Sequence, residues 1–256
     1  MSRLFKAMPL TLALSALSIL TASCGSSNNP AQARFVNAIA DTAQYGTALD
    51  IEVAGTKEFT DISFQGFQPT SGYTEIASGG SALQGIQTGT TTPVFIADIS
   101  LTASTQNTLV ATGFAINNRV VIISASDNNL APANGKVEFR VINASPSGPN
   151  GIPGAVDIYM VPVGSNAGLT SATLIVSDLG YRSTSPYVLV DYNPNSAQGF
   201  NYTMFVTATG TTTPILITQS LTAGSSSAGA IRTLVLTDEE NVDQLDQRAI
   251  VLNDLN

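Results

Sequence analysis

Apolar and polar residues alternate with a period of two along much of this chain. In Leu49-Asp50-Ile51-Glu52-Val53 the apolar side chains share one face and the acids the other, and Val137-Glu138-Phe139-Arg140-Val141 repeats the arrangement. Successive strand residues point to opposite faces, so this pattern predicts strands with one face buried and the other in water. The runs at 120–123 and 215–217 are continuously apolar and suit central strands covered on both faces. Turn-forming clusters return about every 8–12 residues, the spacing of a β-sandwich.

Blocks of sequence recur in order. Arg34-Phe35-Val36-Asn37-Ala38 returns as Arg140-Val141-Ile142-Asn143-Ala144, and Ala48-Leu49-Asp50-Ile51 as Ala155-Val156-Asp157-Ile158. Gly89-Thr90-Thr91-Thr92-Pro93 returns as Gly210-Thr211-Thr212-Thr213-Pro214, and Ser100-Leu101-Thr102-Ala103 as Ser220-Leu221-Thr222-Ala223. Thr108-Leu109-Val110 matches Thr233-Leu234-Val235, and Arg119-Val120-Val121-Ile122-Ile123 matches Arg248-Ala249-Ile250-Val251-Leu252. The offset grows from 106 residues at the first block to 129 at the last, as longer loops in a second copy require. A repeat of this length is too long for a solenoid and predicts tandem β domains, with about seven or eight strands in each. The fold class expected is all-β: two tandem immunoglobulin-like antiparallel β-sandwich domains at 33–126 and 136–256. The polar, Pro- and Gly-containing stretch 127–135 reads as the linker. The Trp and Cys pair of antibody domains is missing, so only the general architecture is implied.

The N-terminus has a different pattern. Arg3 and Lys6 precede an almost wholly apolar or small-residue run at 7–22, interrupted by Pro9. A spanning helix needs about 20 apolar residues. The shorter run, behind a basic start, fits a secretory signal. It ends in Leu20-Thr21-Ala22-Ser23-Cys24-Gly25, which resembles the lipobox of bacterial lipoproteins, although Thr21 stands where Leu is commonest. The resemblance implies cleavage between Ser23 and Cys24, a lipidated Cys24 and a signal peptide at 1–23. Two or three acyl chains hold a protein at a membrane, whereas one is marginal. Residues 24–32 then form the lipidated Cys and a flexible polar tether. Gly25 replaces the Asp usual in inner-membrane retention, so an exported, outer-membrane location in the cell envelope is expected.

Composition sharpens this picture by exclusion. The chain has no His, no Trp and one Cys, with a net charge of −8. There is no imidazole for a triad or zinc site, and no intramolecular disulfide can form. The acidic balance, with a pI of about 4.3, disfavours nucleic acid as a partner. Charged residues are 11%, so the surface must come largely from Ser, Thr, Asn, Gln and Gly, and Lys and Glu are too scarce for a helix bundle. Losing Arg3 and Lys6 with the signal makes the mature chain more negative by two charges.

Taken together, the R-x-[VI]-N-A, A-[VL]-D-[IV] and G-T-T-T-P blocks resemble the tandem β-sandwich modules of unknown function in bacterial lipoproteins and secreted envelope proteins. The resemblance covers roughly 33–256. Asn143-Ala144-Ser145-Pro146 matches the opening usual in that family, whereas Asn37-Ala38-Ile39-Ala40 departs after Ala38. The family implies a fold and a location but no catalytic residues.

Candidate chemistry is sparse. No G-x-S-x-G occurs, and Lys57 and Lys136 sit beside turns as solvated ends rather than as bases for a serine. Asp50 and Glu52 share a face, as do acids on any exposed strand face. Asp238, Glu239, Glu240, Asp243 and Asp246 are weak metal candidates. Ca²⁺ takes six to eight oxygens, but the order D-x-[DN]-x-[DN]-G is missing, and a solvated hairpin is the expectation. Asn37, Asn143, Asp50 and Asp157 are read as turn or edge hydrogen-bonding groups, and the G-T-T-T-P segments as turns. Tyr73, Tyr181, Tyr187, Tyr192 and Tyr202 are read as core or rim packing rather than a sugar platform. The expectation is a non-enzymatic, lipid-anchored module without cofactor, its partners being the membrane and another envelope protein or polysaccharide. The alternative is a glycan-binding or glycan-processing protein using the acids of the second domain.

Overall fold

A computed structural model of the chain describes residues 29–42, 48–133, 135–146, 154–162, 169, 172–191, 202–218, 229–238 and 247–255. The fold is all-β, a sandwich construction with a single short 3-10 turn at Ile116–Asn118 among the described elements. The first half contains β1 (Ala31–Ile39), β2 (Leu49–Val53), β3 (Thr56–Ile62), β4 (Phe67–Gln68), β5 (Thr74–Ile76), β6 (Gly79–Gln87), β7 (Pro93–Leu101), β8 (Gln106–Phe114) and β9 (Arg119–Ser126). One of its sheets has the order β4-β1-β8-β9, with β5 also on β1, and the other the order β3-β2-β6-β7.

The second half contains β10 (Lys136–Asn143), β11 (Val156–Pro162), β12 (Thr173–Leu179), β13 (Val188–Asp191), β14 (Tyr202–Ala208), β15 (Pro214–Thr218), β16 (Ile231–Asp238) and β17 (Gln247–Leu255). Its sheets run β13-β10-β16-β17 and β12-β11-β14-β15. Pairing is antiparallel, as expected, except that β1 lies parallel to β8 and β10 parallel to β16. Strand β1 begins at Ala31, so Ala31 and Gln32 belong to a sheet rather than to a tether.

Each sheet pair encloses an apolar core built by the period-two pattern. Leu49, Ile51 and Val53, with Leu83 beside them in the same sheet, face Phe35 and Leu109 in the first half, and Val137, Phe139 and Val141 face Val156, Ile158 and Val206 in the second. Gly85 leaves room for the Phe95 ring, whose nearest atom lies 2.1 Å from where a Cβ would stand.

A third apolar layer joins the halves. Val36, Ala38, Val110, Ile123 and Ala125 pack with Ile142, Ala144, Val235, Ile250 and Leu252. Strand pairing explains these sets as counterparts: Val110 faces Ile123 across β8 and β9, and Val235 faces Ile250 across β16 and β17. That register moves the last sequence block by two residues, since Ile123 corresponds to Ile250 rather than to Leu252. A two-residue slip keeps every apolar side chain on its face, so alternation alone does not fix it. The seam also corrects the central-strand expectation for 120–123 and 215–217. Both β9 and β15 are sheet edges. Strand β9 is apolar because Val120 and Ile122 pack on its own core while Ile123 and Ala125 enter the seam.

Candidate functional site

The two repeated Arg-x-[VI]-Asn-Ala blocks place one arginine each in the seam. On β1, Phe35 points into the first core, so Arg34, Val36 and Ala38 point the other way, toward the second half. Arg140 follows the same rule on β10. Arg34 Nε donates to Thr108 Oγ1 at 2.8 Å, and Arg140 Nε donates to Thr233 Oγ1 at 2.9 Å. Each then reaches across. Arg34 pairs with Asp254 of the second half, and Arg140 pairs with Asp127, the first residue after β9. Asp127 also lies 3.7 Å from Arg34, and the side chains of Arg34, Arg140, Asp127 and Asp254 are no more than 3% exposed.

The carboxylates are held by the counterpart threonines. Thr108 Oγ1 donates to Asp127 Oδ2 at 2.8 Å and Thr233 Oγ1 to Asp254 Oδ2 at 2.6 Å. An aromatic ring covers each guanidinium, Tyr73 at 5.4 Å over Arg34 and Tyr187 at 4.7 Å over Arg140. Planar guanidinium suits both the carboxylate and the ring, which a lysine would not. Burial lowers the Arg34 pKa, but Asp254 and Asp127 more than offset this and hold it above the ordinary arginine value. Burial, aided by the Asp127 charge, raises Tyr73 well above an ordinary phenol. Burial does the same to Tyr187 against the pull of Arg140. Arg34 therefore stays charged and Tyr73 and Tyr187 stay neutral near neutrality. The charged groups are turned toward one another, and the arrangement fastens the two halves.

The segment expected as a plain linker takes part. Asn128 N–H donates to Tyr187 Oη at 3.3 Å, and Asn129 Nδ2 donates to Tyr73 Oη at 3.3 Å and to Gln106. Composition pointed to a loop there, and nothing in the sequence marked Asp127 as a buried charge. A signal was present nonetheless: an arginine on the polar face of an alternating strand, repeated in both halves.

The other predicted residues fall into structural roles. Asn37 donates to Ile62 O and Asn143 to Leu179 O, each tying the first strand of its half to the end of the third. Asp50 is buried, not on a solvated face as expected. It accepts from Asp61 N–H at 2.9 Å, from Thr88 Oγ1 at 3.0 Å and from Lys57 Nζ at 2.7 Å. Asp157 repeats the clamp on Asp178 N–H at 2.8 Å and on Gly210 N–H at 2.9 Å. Asp61 and Asp178 have φ of 55° and 52°, so each clamp secures a left-handed kink in its neighbouring strand. Lys57 and Lys136 are partnered ends, bound to Asp50 and Asp191. Thr90 and Thr211 cap their own turns through Gln87 O and Ala208 O.

Of the weak metal candidates, Asp238 closes β16, is buried and is bonded by Ser145. Glu239, Glu240, Asp243 and Asp246 lie outside the described residues, as do Ser23, Cys24, Tyr192 and the block at 220–223. No group of three potential metal ligands occurs among the described residues. Tyr181 touches Thr112, and Tyr202 Oη donates to Asp191 O at 2.6 Å, both packing roles.

A protein-family model described as a domain of unknown function (DUF4397) matches residues 31–159, from β1 into β11. The chain belongs to this family. The DUF4397 match includes Arg34, Thr108, Asp127 and Arg140, and stops short of Thr233 and Asp254. No curated protein matches the chain. Among solved structures, the Bacillus anthracis TIE protein is similar over 88% of this chain and 44% of its own, at 9% identity and a TM-score of 0.24. The chain thus spans less than half the length of that structure.

Proposed function

We propose that this DUF4397 protein is an exported, lipid-anchored protein of the cell envelope, placed at the outer membrane, that serves as a non-catalytic structural or binding module. In this reading, its halves are tandem immunoglobulin-like modules clasped into one body. The observation that carries the reading is the chain's only cysteine, Cys24, standing directly after a basic start, a short apolar run and the small residues Ala22 and Ser23. The seam lends support. Repeated polar residues that a catalytic reading would recruit are spent on joining the halves and on securing turns.

Labelling of cells with a palmitate analogue tests the anchor. The native chain is expected to take the label and Cys24→Ala to lose it. A Cys24→Ala chain that still labels would refute the reading. Capture from solubilised envelope is expected to recover an envelope protein or polysaccharide. Turnover of a bound glycan would instead favour the enzymatic alternative.

A further inference from the structure

Register places three loops at one end of the molecule. Ala31 at the start of β1 pairs with Ile76, Leu101 at the end of β7 pairs with Gly79, and Gln32 pairs with Gln106 at the start of β8. Asp127 N–H donates to Gln106 O, which brings the 127–133 segment to the same end. The chain enters there too, since Ser104 N–H donates to Pro30 O at 3.0 Å. The three described loops brought together here, 77–78, 102–105 and 128–133, contain no charged residue in a chain with 18 acids, and the charges beside them include Glu75 and the Lys136–Asp191 pair. In the last of them Leu130 is 78% exposed, the most exposed large apolar side chain among the described residues. The opposite end carries the turns Gly89-Thr90-Thr91-Thr92-Pro93 and Gly210-Thr211-Thr212-Thr213-Pro214, next to Gln87 and Ala208.

We propose that these uncharged loops rest on the lipid surface, with Leu130 dipping into it, so that both threonine-rich turns face away from the membrane. The proposal builds on the lipid anchor at Cys24. Seven peptide links from Cys24 to Ala31 reach at most about 25 Å. A strand of the length of β1 spans about 30 Å. The anchor therefore holds the Ser104 end near the bilayer while the far turns stand a strand length beyond it. Charge acts in the same direction, because an acidic protein approaches anionic headgroups most cheaply through its uncharged loops. An exposed leucine gains by leaving water for the interface.

The chain has no Trp, so a single introduced indole reports its own surroundings. Leu130→Trp and Thr91→Trp variants, lipidated in cells and reconstituted into phosphatidylcholine–phosphatidylglycerol vesicles with acyl-chain bromines, are compared with the same proteins in detergent-free buffer after enzymatic removal of the lipid. Blue-shifted, quenched emission is expected for Leu130→Trp on vesicles, with Thr91→Trp unchanged. Co-sedimentation with vesicles but no quenching of Leu130→Trp would overturn the orientation and leave the anchor standing. Quenching of Thr91→Trp instead would reverse the orientation. A chain without lipid on Cys24 would remove both the anchor reading and this one.

Discussion

The four charges of the seam differ from surface ion pairs in what they cost to break. An exposed pair contributes little, but a buried guanidinium or carboxylate left without its partner retains the full cost of desolvation. Arg34 and Asp254 illustrate this, since both are almost completely enclosed. Arg34→Met should lower the free energy of unfolding by roughly 3 kcal/mol, because Asp254 loses its paired guanidinium and keeps the neutral donors Thr233 and Tyr187. The double variant Arg34→Met with Asp254→Leu removes the stranded charge and should be more stable than either single variant. Urea unfolding of the four proteins checks this. Additive losses would mean that the two side chains act independently.

Among the elements, the A-[VL]-D-[IV] block owes its recurrence to geometry. The aspartate sits on the second strand of each half and caps the amide of a residue in the left-handed region of the third. Hydrogen bonds from Lys57 first, and then from the Asp61 amide, hold the Asp50 carboxyl below the usual carboxylate range. A group whose folded pKa is depressed stabilises the fold above its unfolded pKa, near 3.9 for aspartate, and loses that contribution as pH falls through the folded value. Asp50→Asn should therefore melt lower than the native chain at pH 7. The gap should narrow as pH drops below about 4, where the unfolded carboxyl begins to take up its proton, and close as pH falls through the lower folded value. Thermal melts across that window test it, and a gap that stays constant would assign the effect to packing.

At the scale of the molecule, the seam makes one body of two cores. Its apolar layer pairs counterparts from the halves, and its charges are exchanged reciprocally between them. Ala38 lies in this layer, fully buried and facing away from the first core. Ala38→Glu would place an unpaired charge there while leaving both cores untouched. Calorimetry should show a single unfolding transition for the native chain and two for the variant. One transition at a lower temperature would mean that the halves lack independent stability.

The sequence alone determined which residues are buried in each core, because alternation is written residue by residue and each strand obeys it locally. It also determined the turns, the repeat order and the all-β class, and it supplied the anchor reading at Cys24. Long-range pairing decided the rest. That β1 runs beside β8 in parallel, that edge strand β9 is covered on both faces, and that the last repeat shifts by two residues all depend on partners far away in the chain. The polar face of an alternating strand reads as solvent-facing until a second sheet covers it. Only the tertiary structure showed that Arg34 and Arg140 lie under such a cover, and that Asp127, in a stretch composed like a linker, is the charge that meets them both.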